Sequence, residues 1–99
     1  MNYLIDIRIH AGEYEKTTQS LIEGAKDREQ AEKAAILGEA HDPTNLENDS
    51  GTFYGLGGEF AYVVRGVTEV PEADLAVLKR YMYANDASVM LSLEEKDYE

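Results

Sequence analysis

The chain has 99 residues, 43% of them hydrophobic, enough for one domain with a core of its own. Twenty acidic residues against nine basic ones leave a net charge of −11, which excludes direct binding to a phosphate backbone as the main activity. Cysteine is absent, so disulfides, thiol catalysis and cysteine-ligated zinc are excluded as well.

Tyr3, Ile5, Ile7 and Ile9 alternate with Asp6, Arg8 and His10, a period of two that predicts a half-buried strand. Ala11-Gly12 reads as a tight turn, and Glu13 to Ile22 as the second strand of an antiparallel hairpin, with Tyr14, Leu21 and Ile22 its apolar points. A first helix is expected from Asp27, whose carboxylate can cap backbone N–H groups while Gln30 completes a capping box. Ala31, Ala34, Ala35 and Gly38 form its inner face, small enough to lie close on a sheet, with Ile36 and Leu37 beside them. His41-Asp42-Pro43 ends it, because the residue before proline avoids the helical region.

Residues 41–58 are polar and rich in glycine; within them Phe53 to Leu56 reads as a short strand turning at Gly57-Gly58. The next strand, Glu59 to Val70, sets Phe60, Tyr62 and Val64 against Ala61, Val63 and Val67, so it belongs inside the sheet. Pro71 opens a second helix reaching Tyr83, with Glu72 and Asp74 at its positive dipole end and Leu75, Leu78, Tyr81 and Met82 as its stripe. Asn85-Asp86 stops it, Ser88 to Leu93 reads as a last strand through Val89, Leu91 and Leu93, and residues 94–99 read as an acidic tail. The expectation is a single α+β domain over residues 1–93. It has an antiparallel sheet of four to five strands and two helices mainly on one face, in the order ββα(β)βαβ.

Little here resembles reaction chemistry. His10 and His41 stand in no zinc-ligand spacing and read as surface residues. Gly51, Gly55, Gly57 and Gly58 lead into a strand rather than a helix, and no Lys or Arg falls between Lys33 and Arg65, which fits a hairpin turn and not a phosphate loop. Asp42, Glu47 and Asp49 offer oxygen donors of the type calcium takes, without the spacing of a calcium loop. Asp6 and Glu69 are candidates for acid–base work, but chance carboxylate pairs are common among 20 acids. No glycine elbow frames a nucleophile. No enzymatic activity, cofactor or metal is expected.

The acids themselves are unevenly placed. From Ala34 to Val64 there are five carboxylates, Glu39, Asp42, Glu47, Asp49 and Glu59, and no Lys or Arg. Glu69, Glu72 and Asp74 bunch at the start of the second helix, and Glu94, Glu95, Asp97 and Glu99 surround Lys96. Lys26, Asp27, Arg28, Glu29, Glu32 and Lys33 instead balance and read as a solvated helix face. A negative field repels nucleic acid and attracts proteins whose grooves hold it, because carboxylates there take the place of phosphates. Tyr14, Tyr54, Tyr83 and Tyr98 are not required by the core, and tyrosine is a common interface anchor. The candidate partner-binding set is Glu39, Asp42, Glu47, Asp49, Tyr54, Glu59, Glu72 and Asp74. Acidity that serves solubility alone is the plainer reading of the same charges.

With 99 residues, no Cys or Trp, a charge of −11 and helices over Asp27–Gly38 and Pro71–Tyr83 in a ββα…βα layout, the chain resembles a known group. These are the small acidic single-domain inhibitors encoded by phages and other mobile elements, of which anti-CRISPR proteins are the best known. The resemblance implies stoichiometric binding to a host defence complex, a CRISPR effector for example, often at the guide-RNA-bound surface that recognises target DNA. The acidic field itself points to a protein partner with a basic surface and to no direct nucleic-acid contact. With no basic leader and no run approaching about 18 apolar residues, the chain is expected to be soluble and cytoplasmic, in the host cytoplasm if phage-encoded, without membrane contact. No shared motif carries any residue role across, and the balanced first helix implies that only one face is used. The competing expectation is a non-enzymatic accessory or structural subunit, a monomer or a homodimer joined through an exposed sheet edge, in which apolar and aromatic residues bind.

Overall fold

The alternation of Tyr3, Ile5, Ile7 and Ile9 becomes β1 (Tyr3–Ala11), paired antiparallel with β2 (Tyr14–Glu23) so that Tyr3 lies opposite Ile22 and Ala11 opposite Tyr14. The computed structural model describes residues 1–40, 43–49 and 51–95. Gly12, at φ 65°, supplies the left-handed residue that the hairpin turn requires. α1 (Arg28–Glu39) starts where the Asp27 carboxylate accepts the Gln30 N–H at 2.8 Å, while the Gln30 side chain accepts the Lys26 N–H at 2.7 Å. Then come β3 (Glu47–Asp49), β4 (Thr52–Gly55), β5 (Phe60–Glu69), α2 (Glu72–Leu78), β6 (Ala84–Asp86) and α3 (Ala87–Leu91).

The six strands run in the order β3-β4-β5-β1-β2-β6, antiparallel throughout except for the parallel β2–β6 pair. The fold is therefore α+β, with β5 inside the sheet as expected. Among the described residues the sheet is larger and more mixed than the four to five antiparallel strands expected, and the helices number three rather than two.

The helices divide between the faces of the sheet. Tyr3, Ile5, Ile7 and Ile9 are buried with Ala31, Ala34, Ala35 and Ile36 of α1 and Ala87 of α3. Leu4 and Leu21, paired on the opposite face, pack with Val70, Leu75, Leu78, Met82 and Ala84, so α2 covers one end of that second face. Each fully buried Ile or Leu stabilises the fold by roughly 1.5–3 kcal/mol. Gly38, expected against the sheet, instead adjoins α3, where an added Cβ would lie 3.1 Å from Met90 Sδ.

Three local departures have physical causes. The β1–β5 register moves from Asp6↔Gly66 to Ile7↔Val64, which leaves Arg65 as an extra residue. This bulge reverses the alternation, and Val67 joins Val64 on the α1 face instead of opposing it. α2 stops at Leu78 rather than Tyr83: the Tyr81 and Met82 N–H groups both bond the Leu78 carbonyl, tightening the chain into a turn that leads into β6. Tyr81 thereby leaves the apolar stripe and is exposed. The segment expected as a last strand from Ser88 is helical, because Asp86 caps it by accepting the Ser88 N–H at 2.9 Å and the Val89 N–H at 3.3 Å.

Candidate functional site

The sheet register places part of the candidate set on one surface. Glu47 lies opposite Tyr54, Tyr54 opposite Ala61, Ala61 opposite His10, and His10 opposite Glu15. The neighbouring row runs Asp49, Thr52, Val63, Arg8, Thr17. Directly paired residues share a face, and Asn48, between the two acids, pairs with Phe53, which packs toward α1. Glu47, Asp49 and Tyr54 therefore stand on the face that α1 does not cover, at the β3 edge. Glu47 and Asp49 are exposed, Tyr54 is half-buried, and neither β3 nor β4 contains a Lys or Arg. The β3–β4 turn is fixed by Asn48 Oδ1, which accepts the Gly51 N–H at 3.2 Å.

Glu59 is exposed beyond the same strands, beside the β1–β2 turn: Gly12 and Glu59 line one shallow depression. That places Glu13, which was not a candidate, on the same flank. The signal for it lay in the hairpin, since its tight turn carries Glu13 to the end of the sheet where β5 begins. Further along this face Glu15 is paired with Arg8 at 3.0 Å, with His10 Nδ1 lying 3.8 Å from it, and Asp6 accepts the Gln19 amide at 2.9 Å.

The remaining candidates lie elsewhere. Glu39 ends α1, on the layer over the other face, and is half-buried. Glu72 and Asp74 occupy the first turn of α2, at the opposite end of the sheet and nearer the β6 edge. Glu72 accepts the Asn2 amide at 3.1 Å, a contact that holds α2 to the start of β1. Asp42 and Tyr98 lie outside the described residues. The described acids thus do not form one surface: Glu47 and Asp49 stand at the β3 edge, Glu59 at the end of the sheet beside the β1–β2 turn, Glu39 on the other layer, and Glu72 and Asp74 on α2 with a partly structural role.

On the α1 face a groove of about 780 Å³ runs between α1 and β3–β4. Leu37, Leu46, Phe53 and Val64 form its floor, and Lys26, Lys33, Glu29 and Glu94 stand on its rim. Lys33 is held by Glu94 at 2.9 Å, so the chain after α3 folds back onto α1. Among the described residues no group of three or more His, Asp or Glu is placed to hold a metal ion. No helix among them is long and apolar enough to cross a membrane. The Asp86 carboxyl is held below its ordinary value by the Ser88 hydroxyl and by the Val89 and Ser88 N–H groups, as its capping role requires. Compared with protein-family models, with curated proteins and with solved structures, the chain matches none.

Proposed function

We propose that this chain is a non-enzymatic inhibitor that uses its carboxylates to occupy a basic, nucleic-acid-holding surface of another protein. On this reading it acts like the anti-CRISPR proteins it resembles, blocking target DNA recognition by a host defence complex. The observation that supports the reading best is the β3 edge, where Glu47 and Asp49 project from one face with Tyr54 beside them and no base on either strand. Carboxylates in successive rows of an extended edge follow a partner groove as a run of phosphates does, and a tyrosine between them supplies contact area. The charge-balanced first helix packs on the other face, where Lys26 and Lys33 rim the groove beside β3–β4 and Lys33 is held by Glu94.

The test is capture of purified guide-RNA-loaded effector complexes on the immobilised chain, at about 50 and about 500 mM salt, a range over which exposed charges are progressively screened. Binding that falls steeply with salt and disappears in the Glu47→Lys/Asp49→Lys double variant is the expected result. Binding indifferent to both salt and charge reversal, or no binding to any complex, overturns the proposal.

A further inference from the structure

Large hydrophobic side chains stand exposed at seven described positions, and four of these fall between residues 77 and 89: Val77 (51%), Tyr81 (78%), Tyr83 (82%) and Val89 (55%). They flank β6, the edge strand that pairs with β2 on one side and, among the described residues, with no strand on the other. Met82 packs inward beside Leu21, Val70 and Leu75, which leaves Tyr81 and Tyr83 facing out on either side of it. An open edge presents backbone donors and acceptors to another strand, and tyrosines beside it bury wide area at small entropic cost.

Charge decides what the edge takes. At the opposite edge, β3 carries Glu47 and Asp49, so two copies meeting there would set acid against acid. Around β6 the signs are matched. Lys79 is held by Glu23 at 3.0 Å, and the exposed Arg80 has no ion-pair partner among the described residues. Asp86, at the end of β6, gives one carboxylate oxygen, Oδ1, to Ser88 and Val89, and Oδ2 takes no part in those bonds. A two-fold axis brings a patch against itself, so a patch with one free base, one acid and several apolar side chains is self-complementary.

We infer that the occupant of this edge is a second copy of the chain. The two β6 strands pair antiparallel about a two-fold axis and join two six-stranded sheets into one. Tyr81, Tyr83 and Val89 of each copy pack against the other, and Arg80 faces Asp86 across the axis. The acidic β3 edges then lie at the two far ends of the joined sheet, both open. This inference stands on the β6 edge alone and does not depend on the inhibitor reading.

Sedimentation equilibrium of the full chain, from about 1 to about 500 µM, a range that brackets micromolar affinities, reads it directly. The mass should climb from 11.1 kDa toward twice that value. Tyr83→Asp, and the milder Tyr81→Ser, should each weaken association by about tenfold or more, the scale of a buried tyrosine anchor. Arg80→Glu should weaken it too, and more at low salt than at high. Both tyrosines are exposed in the single chain, so at concentrations where wild type is monomeric the variants should melt as it does, and wild type should melt higher only where it associates. Glu47→Gln, an exposed change at the β3 edge that leaves its turn intact, should leave association unchanged. A wild-type mass fixed at 11.1 kDa throughout, or association that survives Tyr83→Asp and Tyr81→Ser, overturns the inference.

Discussion

Asn2 holds Gly24 across the base of the hairpin: its Oδ1 accepts the Gly24 N–H at 3.2 Å, while its Nδ2 donates to Glu72 Oε2 at 3.1 Å. One side chain thus ties the start of β1 to the turn after β2 and to the first turn of α2. Asn2 is only 5% exposed, and its amide also lies 3.5 Å from the Val70 carbonyl. Asn2→Leu keeps much of the volume and removes every one of these bonds. It should lower stability by about 1–3 kcal/mol, the cost of leaving partly buried polar groups unpaired, as read by urea denaturation. Glu72→Gln retains an acceptor for Asn2 and should cost much less.

The cap at Asp86 makes a pH-dependent prediction. Its folded carboxyl lies below the ordinary value of 3.8, first through the Ser88 hydroxyl and then through the Val89 and Ser88 N–H groups. On acidification the unfolded chain takes up this proton before the folded one does. The stabilisation is therefore complete above the ordinary value and is lost as pH falls through the lower, folded one. Thermal melts at about pH 6 and about pH 3 should show Asp86→Ala melting below wild type at the higher pH, with the gap narrowing at the lower. Asp86→Asn keeps an acceptor for the Ser88 and Val89 N–H groups and should fall between the two. A gap that does not change with pH would mean that the cap holds through shape rather than charge.

How much of this was legible in the sequence depended on whether one period dominated. Tyr3 to Ile9 obey only a period of two, and Asp27 with Gln30 marks a helix start that nothing nearby contradicts, so β1, β2 and α1 were readable. Residues 87–93 obey two periods at once. Val89, Leu91 and Leu93 alternate, while Ala87, Met90 and Leu91 sit at helical spacing and are the ones packed against α1 and the sheet. The Asp86 cap settles the matter locally, starting a helix where Asn85-Asp86 reads in the sequence as a helix stop. Glu47-Asn48-Asp49 contains no apolar residue and hence no period; β3 exists because β4 offers it backbone partners. The candidate site fared likewise. Which residues are acidic was plain, but their grouping depends on strand order, which sets Glu47 and Asp49 at one edge and carries Glu72 toward the other. The reversal at Arg65 is a bulge, invisible to any alternation rule.

Gly38 tests the contact between α1 and α3. In a helix interior alanine is favoured over glycine by about 1 kcal/mol, an upper bound for Gly38, the penultimate residue of α1. Against that, a Cβ at Gly38 would stand 3.1 Å from Met90 Sδ, so the sulfur must withdraw by a few tenths of an ångström. Methionine is flexible enough to do so. Gly38→Ala should therefore raise stability by up to about 1 kcal/mol, and Gly38→Val, with two further carbons, should lower it. Urea midpoints for the pair measure this. Loss of stability in Gly38→Ala would show that α3 is fixed against α1 too firmly for Met90 to move.

The acidic edge should be separable from the fold. Glu47 and Asp49 are exposed and lie outside the buried core, and their strand pairs with β4. Surface substitutions of this kind usually change stability by less than about 0.5 kcal/mol. Glu47→Lys/Asp49→Lys takes the net charge from −11 to −7, each reversal adding two units, and removes like-charge repulsion along the strand. The double variant should unfold at the wild-type urea midpoint or slightly above it, with the small gain fading as salt screens the remaining acids. A large loss would mean that the edge acids hold β3 in place, and charge reversal could then no longer be read as a probe of binding alone.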